Sequence, residues 1–264
     1  MKGAGQEVAA VRGLVEAASG VGMSGHLAGR LEAHMESEVA RLGLGGTPAL
    51  LDLIRRGGGP GGAALDRLLA AVLVHETFFY RFRSQLVALE AEIGRRAAGG
   101  RGSTLRIWSA GCSRGPEPYT IAMLALRASS AARRRVQVDV LGTDVCESFL
   151  EAARAGVYAA DRARDLPPDL RSLCLEDAGD GRVRVTRAIR SSVRFVRHNL
   201  LDQPPERDFD VVCCRNVLIY FDEGTRRTAL ARLASALSPG GLMLVGHSKS
   251  LRDVPDLFSP APDL

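Results

Sequence analysis

Between residues 7 and 74 the apolar positions recur at the three- and four-residue spacing of amphipathic helices, and glycine clusters rather than strands separate the segments. Ser24 suits a helix N-cap and Gly43 the residue just past a helix end. Residues 57–62 contain only glycine and proline and predict a loop. The region therefore predicts a small all-α domain. The predicted helices cover residues 7–18, 24–42, 47–56, 63–74 and, as a link to the next domain, 85–96.

Beyond Gly102 the pattern changes to alternating strands and helices, which is typical of a parallel sheet with crossover helices. A proline pair at 167–168 and an alternating run at 182–186 interrupt this rhythm and predict a small antiparallel sheet. The predicted strands cover 105–109, 136–142, 193–196, 209–214 and 242–245, the helices 116–127, 147–155 and 223–237, and a turn 238–241. The predicted domains are a helical domain over 1–80, a linker helix over 81–100, and an α/β domain over 101–264 with 158–192 inserted.

The composition of the chain narrows its class. Of the 264 residues, 46% are apolar and 25% are charged, which excludes a disordered chain or a coiled coil. No apolar run approaches the roughly 20 residues that span a membrane, so we expect a soluble, intracellular protein. The five cysteines show no CxxC spacing, which predicts neither a disulfide framework nor a zinc site.

Six arginines between residues 182 and 197 form the densest basic stretch of a chain whose formal net charge is +5. One interpretation is a solvated arginine-rich face, which the lysine-poor composition favours. The other is a docking surface for an acidic peptide or a nucleic acid.

A glycine-containing loop, GCSRGPEPY over residues 111–119, lies between the first predicted strand and the first crossover helix. In open α/β sheets, ligands bind outside the carboxyl ends of the strands, where glycines let the backbone approach the ligand closely. Pro116 suits the first turn of the following helix. The loop lacks the GK[ST] of a phosphate-binding loop and the full GxGxxG of a dinucleotide fold. It therefore predicts a nucleoside ligand without phosphates.

Polar residues follow three further predicted strands. Asp144 ends the second strand, where a carboxylate accepts hydrogen bonds from ribose hydroxyls, although a helix N-cap is an equal alternative. Segment 198–202 follows the third strand, and its Asn-Leu pair can offer amide hydrogen bonds and an apolar face to a purine base. A plain turn without a ligand explains the same residues equally well. The fourth strand runs into the Arg-Asn pair 215–216 and the Tyr-Phe pair 220–221, which places functional groups at the edge of the sheet. Phe221 also suits an ordinary core position.

Four aromatic residues lie within 78–82, between the two predicted domains. Such a segment usually packs in a core, but its position suits a segment that closes over a cleft. His75 and Glu76 are adjacent and do not have the HExxH spacing of a metal site.

Taken in order, these segments resemble the CheR family of chemotaxis receptor methyltransferases. The resemblance implies S-adenosylmethionine as methyl donor and protein-glutamate O-methyltransferase activity. It also implies a doubly wound, Rossmann-like α/β sheet, a small antiparallel β-subdomain inserted in it, and an all-α N-terminal domain that borders the active site. The segments that carry it are TFFYR at 77–81, GCSRGPEPYT at 111–120, GTD at 142–144, NLL at 199–201, CRNVLIYFD at 214–222 and LSPGGLMLVGHSKSL at 237–251.

The resemblance also implies roles for individual residues. Arg81 and Tyr220 match the residues that border the transferred methyl group and the incoming substrate, and no metal is implied. The resemblance and, for Gly111, the glycine loop predict nine cofactor contacts. These are Thr77, Arg81, Gly111, Glu117, Asp144, Asn199, Leu200, Asn216 and Val217.

Four positions depart from the family pattern. His75 stands where Asn is usual, Pro116 replaces the first Glu of GEEPYS, and Val145 stands where Ile is frequent. Lys249 changes the familiar GHSES to GHSKS. Because the family usually continues into one more edge strand beyond the point where this chain stops, we expect either a shortened relative or a sequence that was cut before this strand.

The resemblance implies that a receptor glutamate attacks the methyl group in line. With a reference pKa of about 4.3 this carboxylate is ionised at neutral pH, so no general base is needed.

The implied partner is the cytoplasmic domain of methyl-accepting chemotaxis receptors, docked through the β-subdomain. We expect a cytoplasmic monomer that neither binds nucleic acid nor inserts into a membrane.

Two alternatives stay open. One is a CheR-like methyltransferase with another substrate, such as a small carboxylic acid or a nucleic acid, for which the basic stretch 182–197 is the best feature. The chain lacks the Asn-Pro-Pro-aromatic motif of amino-group methyltransferases and has Arg215-Asn216-Val217 instead. The other is a signalling module that binds S-adenosylmethionine without catalysis.

Overall fold

A computed structural model describes residues 2–98, 104–131, 137–246, 251 and 254–259. Within these residues the N-terminal part is helical, as the periodicity predicts. Helix α2 ends just before Gly43, which adopts the left-handed conformation, as predicted. Its N-cap is Gly25, so the predicted N-cap at Ser24 is wrong. The helices before the sheet are α1 (Lys2–Ser19), α2 (His26–Leu42), α3 (Thr47–Arg56), α4 (Gly58–Val72) and α5 (Arg83–Ala98).

The predicted loop over residues 57–62 is also wrong, because α4 begins at Gly58. Gly57 reverses the chain with a φ of 64°. Gly61 is buried against α3, and a Cβ atom there would lie 2.2 Å from the carbonyl oxygen of Leu53. The glycine allows the backbones of α3 and α4 to approach closely, which a sequence pattern does not distinguish from a loop signal.

The remainder of the described chain alternates between strands and helices. Short 3₁₀ turns lie at Ala160–Ala163 and Leu218–Tyr220. In chain order the elements are β1 (Leu105–Ala110), α6 (Pro116–Ala131), β2 (Val138–Asp144), α7 (Glu147–Ala155), β3 (Val157–Ala159), α8 (Pro168–Cys174), β4 (Leu175–Asp177), β5 (Arg182–Val185), α9 (Arg187–Arg190), β6 (Val193–Arg197), β7 (Phe209–Cys214), α10 (Glu223–Ala236) and β8 (Leu237–Val245).

The central sheet has the strand order β6-β2-β1-β7-β8, and its neighbouring strands are parallel. The first strand along the chain, β1, lies in the middle of the sheet. The next two strands, β2 and β6, lie on one side of it, and the last two, β7 and β8, lie on the other side. This is a doubly wound sheet, in which ligands bind where the strand order reverses, at the carboxyl ends of the strands. The predicted fold class is confirmed.

The predicted turn at 238–241 is part of strand β8 instead. The register between β7 and β8 shifts between Phe209 and Val211. Gly240 has a φ of 74°, which a glycine adopts without strain. The Pro-Gly-Gly sequence therefore marks an irregularity inside strand β8 and not a turn that precedes the strand.

The predicted antiparallel subdomain is confirmed as a three-stranded sheet with the order β3-β5-β4. Tyr158 on β3 joins it to the rest of the molecule. Its ring meets Phe79 edge-on with centroids 5.0 Å apart. Its hydroxyl donates a 2.7 Å hydrogen bond to the carbonyl oxygen of Arg114 in the glycine loop. The subdomain is therefore anchored on the loop that follows β1.

The central sheet is covered on both faces. On one face, helical residues such as Leu31 and Leu69 share a buried cluster with Trp108 and Phe209 of the sheet. On the other face, α5 and α6 share a second cluster with the sheet. The helical domain is thus continuous with the hydrophobic core of the α/β domain.

All five cysteines are free and buried. Burial raises the pKa of each thiol, to about 11 for Cys146 and Cys174. Among the described residues no helix has both the length and the apolar character needed to cross a membrane.

Glu38 on α2 is a buried carboxylate that binds Arg41 and reaches Arg67 on α4. Burial alone would raise its pKa, but the hydrogen bonds from the two arginines outweigh burial and lower the pKa to about 2. Because the folded pKa lies below the unfolded value of 4.5, Glu38 stabilises the fold above pH 4.5, and this contribution disappears as the pH falls towards 2. We expect Glu38→Gln to lower the free energy of unfolding at pH 7 by about 1.5–3 kcal/mol.

Urea unfolding at a series of pH values measures this effect. The variant should lose less stability than the wild type between pH 4.5 and 2, because its side chain has no charge to lose. Glu32→Gln is the matched control, since within the described residues Glu32 pairs with Arg12 alone and both side chains are partly exposed. Equal pH dependence in Glu38→Gln and the wild type would contradict the assignment.

Candidate active site

A cleft of about 290 Å³ lies at the carboxyl ends of β1, β2, β6 and β7. Each of these strands ends at or just before a residue that the sequence singles out, and parallel strands bring those ends to one edge. Residues from the segment before α5 complete the cleft. The structure brings all ten predicted site residues to its lining: Thr77, Arg81, Gly111, Glu117, Asp144, Asn199, Leu200, Asn216, Val217 and Tyr220.

The loop after β1 forms the floor of the cleft. The backbone N–H groups of Gly111 and Cys112 both donate to the carbonyl oxygen of Thr143, at 2.8 Å. Gly111 has a φ of 77°, and a Cβ atom there would lie 2.4 Å from Cγ2 of Val217. Glycine is therefore required at this position by both the backbone conformation and the close approach of the next loop.

Asp144 ends β2 and faces this loop. Its Oδ2 accepts a 2.8 Å hydrogen bond from the backbone N–H of Ser113, and its Oδ1 accepts one of 3.1 Å from Cys146. Burial raises the pKa of Asp144, and the backbone hydrogen bonds oppose that rise. The N-cap of α7 is Cys146, so the alternative that Asp144 caps this helix is wrong. A carboxylate has more acceptor sites than these two bonds use, and the remaining ones suit the hydroxyls of a ribose.

Glu117 in the first turn of α6 is held from two sides. Its Oε1 accepts a 2.7 Å hydrogen bond from the hydroxyl of Ser109, and its Oε2 lies 3.1 Å from Nη1 of Arg215. Arg215 is only 7% exposed. It also donates to the side chain of Gln85 at 3.0 Å and to the carbonyl oxygen of Arg81. One buried guanidinium therefore connects β7, α5, α6 and the segment before α5.

Arg215 was predicted to lie among the polar groups at the edge of the sheet, but it was not among the predicted cofactor or catalytic residues. The signal for it is its position directly after FDVVCC, a strand with five apolar residues. Apolar residues on both faces of a strand predict burial, and a buried arginine requires acidic or carbonyl partners. The sequence contains this signal but not the identity of those partners.

The aromatic segment 78–82 contributes side chains both to the hydrophobic core and to the lining of the cleft. Phe79 and Tyr80 are buried, as the core interpretation predicts, while Phe78 lines the cleft. The Arg81 guanidinium lies 5.5 Å from the ring centroid of Phe78 and 5.1 Å from that of Phe82. It donates to the carbonyl oxygen of Glu76 at 2.8 Å, and among the described residues no carboxylate forms an ion pair with it. Arg81 is therefore a cation in the cleft wall that aromatic rings hold in place.

The helical domain forms another wall of the cleft. Ser19 and Val21, at the end of α1, and Leu27 of α2 line it. Asn199 joins this wall to the sheet, because its Nδ2 donates a 3.0 Å hydrogen bond to the carbonyl oxygen of Ala17. Its Oδ1 accepts a 3.0 Å hydrogen bond from the backbone N–H of Leu201. The side chain of Asn199 therefore fixes the loop after β6, and its neighbour Leu200 supplies an apolar surface.

The rim of the cleft lies on the 3₁₀ turn Leu218–Tyr220. Tyr220 is 38% exposed and Ile219 is 50% exposed. Phe221 is buried, as its core interpretation predicts. A tyrosine hydroxyl at an exposed rim is accessible to an incoming substrate.

The positions that depart from the family pattern lie in different places. The His75 ring lies 5.6 Å from the ring of Phe149, Pro116 begins α6, and Val145 lines the cleft. Lys249 lies outside the described residues. Within the part of the chain that the structure describes, no group of three or more His, Cys, Asp or Glu side chains could hold a metal ion.

The donor set of the cleft suits an adenosyl sulfonium. Asp144 lies at a strand end, where a ribose binds in such sheets, the Asn199-Leu200 segment offers an apolar surface that suits a base, and the glycine loop lines the same cleft. No lysine follows the loop to bind phosphates.

Comparison with known proteins shows the family of the chain. Residues 75–263 match the family model described as "CheR methyltransferase, SAM binding domain". A chemotaxis protein methyltransferase of Borreliella burgdorferi is 35% identical over 198 residues, which cover 73% of this chain and 70% of the relative. One from Vibrio parahaemolyticus is 37% identical, covering 74% of this chain and 70% of the relative. Chemotaxis protein methyltransferase 1 of Pseudomonas aeruginosa is 34% identical, covering 81% and 80%. The chain therefore belongs to the CheR methyltransferase family, and S-adenosylmethionine is its cofactor.

Proposed function

We propose that this protein methylates glutamate side chains of methyl-accepting chemotaxis receptors and releases S-adenosylhomocysteine. The relatives that carry the name chemotaxis protein methyltransferase support this reaction. The structural observation that carries the proposal is the position of Arg81 and Tyr220 on the cleft that also holds Asp144 and Glu117. Arg81, which forms no ion pair with a carboxylate of the described residues, and the accessible hydroxyl of Tyr220 both lie next to the proposed nucleoside site and suit a substrate carboxylate.

The cofactor supplies a methyl group bonded to a positively charged sulfur. A carboxylate oxygen of the substrate forms a bond to this methyl carbon while the carbon–sulfur bond breaks, and the sulfur keeps the electron pair. The products are a methyl ester and a neutral thioether. No proton moves, because the substrate carboxylate is already ionised at neutral pH.

In this proposal the residues of the chain act by binding, orienting and excluding water. Asp144 accepts hydrogen bonds from the ribose, and the loop at Asn199 and Leu200 holds the base. The Tyr220 hydroxyl donates to one substrate oxygen and leaves the other free to attack. Arg81 orients the same carboxylate while its guanidinium packs against the rings of Phe78 and Phe82. Orientation and loss of water account for up to about 7–11 kcal/mol of a barrier in favourable reactions.

The test of the function is methyl transfer from tritiated S-adenosylmethionine to a purified receptor cytoplasmic domain. Methyl esters release labelled methanol on treatment with base, whereas methylated amines do not. Base-labile label that disappears when the receptor glutamates are changed to glutamine supports the proposal. Label that is stable to base indicates another substrate, and cofactor binding without any transfer indicates a non-catalytic module.

The ribose role of Asp144 gives a separate prediction. Asp144→Ala should weaken the binding of S-adenosylmethionine and S-adenosylhomocysteine by the same amount, because ribose contacts do not change during transfer. We expect a loss of about 1.5–3 kcal/mol, the range for a hydrogen bond to a charged group. Calorimetric titration of the folded variant measures it, and unchanged affinity would contradict the ribose assignment.

The antiparallel subdomain is proposed as the receptor docking surface. Arg182 and Arg184 on β5 and Arg187 on α9 are exposed, and within the described residues no acidic side chain forms an ion pair with them. Arg194, by contrast, is paired with Asp139 and Glu206. The unpaired arginines suit an acidic receptor segment.

This docking surface predicts a salt-sensitive effect. The double variant Arg184→Glu, Arg187→Glu should raise the receptor KM at low salt, and the difference from the wild type should shrink as the screening length falls from about 10 Å at 0.1 M salt to about 3 Å at 1 M. A salt titration of receptor methylation measures it. If both enzymes have the same KM and salt dependence, the arginines form only a solvated face.

A further inference from the structure

Asp66 on α4 is a buried carboxylate whose contacts cross from the helical domain to the α/β domain. It is 8% exposed. Its Oδ1 accepts a 2.5 Å hydrogen bond from the backbone N–H of Glu147, and its Oδ2 accepts one of 3.0 Å from Ser148. The thiol of Cys146 lies 3.7 Å from Oδ2. All three partners belong to the start of α7.

Helix α7 begins without a cap of its own. Its N-cap residue is Cys146, with a φ of −95°, and the side chain of Cys146 makes no capping hydrogen bond. The first N–H groups of a helix have no partner within the helix, and the helix dipole favours a negative charge there. Asp66 satisfies two of these groups from another domain, in the way that an N-cap aspartate does within a single helix.

The turn that Asp66 holds is the turn that carries Asp144. The backbone N–H of Cys146 donates to Asp144, while those of Glu147 and Ser148 donate to Asp66. Three consecutive amides are thus divided between the two carboxylates. A shift of the turn would break both sets of hydrogen bonds, so the position of Asp144 depends on Asp66.

Helix α4 also leads directly into the wall of the cleft. Val72 at its end and the following residues Leu73 and Val74 line the cleft, six or more residues beyond Asp66. A carboxylate that fixes α4 against α7 therefore also fixes this wall with respect to the turn that carries Asp144.

We propose that Asp66 is a positioning residue for the cofactor site. It links the packing of the helical domain against α7 to the binding of S-adenosylmethionine, because it holds the turn that carries Asp144. The inference rests on the proposed ribose contact of Asp144. Asp66 itself contacts α7 and does not line the cleft. Its removal should therefore weaken cofactor binding without removing a group that touches the reactants.

Calorimetric titration with S-adenosylhomocysteine tests the proposal on the full chain. We expect Asp66→Ala to raise the Kd by about 3- to 30-fold, the range for residues that act on a site through another group. Asp66→Asn keeps one acceptor oxygen and should give an intermediate Kd, and it provides the test if Asp66→Ala does not fold. In methylation assays the KM for S-adenosylmethionine should rise while kcat at saturating cofactor stays within about twofold of the wild type.

Glu38→Gln is the matched control, because Glu38 is a buried carboxylate of the same domain whose partners, Arg41 and Arg67, also belong to that domain. It should lower stability and leave the Kd unchanged. An unchanged Kd in a folded Asp66 variant, or an equal rise in Kd for Glu38→Gln, would overturn the proposal.

Asp144→Ala is measured in parallel. If it binds normally, the ribose assignment fails and the Asp66 proposal fails with it; if it loses affinity and the Asp66 variants do not, only the Asp66 proposal fails. Binding of S-adenosylhomocysteine involves no receptor, so neither result depends on receptor methylation.

Discussion

Arg215→Met is expected to lower the free energy of unfolding by about 3–5 kcal/mol, the cost of removing one partner of a buried ion pair. The substitution leaves the Glu117 carboxylate, which is 18% exposed, without its cation. It also removes the donors to the Gln85 side chain and to the Arg81 carbonyl oxygen. Urea unfolding measures the loss.

The matched control is Arg227→Met, because Arg227 and Asp256 form an ion pair in which both side chains are more than half exposed. Such pairs contribute about 0–1 kcal/mol. The double variant Glu117→Gln, Arg215→Met should lose less stability than the sum of the single variants, since the second change removes the charge that the first leaves unpaired. Additive losses would indicate that the two side chains do not form a coupled pair.

Tyr220→Phe is expected to lower kcat by about 10- to 100-fold with little change in the Kd for S-adenosylhomocysteine. The lost hydroxyl belongs to the rim of the cleft, where it contacts the substrate carboxylate and not the cofactor in the proposed reaction. An interaction made with the substrate and the transition state affects turnover and leaves cofactor affinity intact. Steady-state kinetics with a receptor domain and calorimetry with S-adenosylhomocysteine measure the two quantities.

Tyr119→Phe serves as the control for this change. Tyr119 is buried, and its hydroxyl donates a 2.8 Å hydrogen bond to the carbonyl oxygen of Ala153, away from the cleft. It should lose about 1 kcal/mol of stability and retain its turnover. Full activity in Tyr220→Phe would show that Tyr220 is only part of the rim.

The meeting of the predicted site residues at one cleft follows from the sequence pattern. Gly111, Asp144, Asn199 and Asn216 each lie at or just after the end of a predicted strand. Once the strands are known to be parallel, their carboxyl ends must lie at the same edge of the sheet. Local periodicity is therefore enough to predict which loops share a site.

Contacts between distant segments were not predictable in this way. The partners of Asp66 lie about 80 residues further along the chain, and Gln85 lies 130 residues from Arg215. A buried charged residue has the same letter in the sequence as a solvated one, and only the packing of two domains distinguishes them. Gly61 is a similar case, because a glycine that admits a neighbouring helix looks like a glycine in a loop.

Because all five cysteines are buried, we expect the native protein to react only slowly with maleimides. The thiolate is the species that reacts, and burial raises the pKa of each of these thiols. A cysteine introduced at an exposed serine, such as Ser37 on α2 or Ser172 on α8, should therefore take up a fluorophore selectively, with no need to replace the natural cysteines. Dyes at both positions would then report the separation of the helical domain and the antiparallel subdomain during turnover.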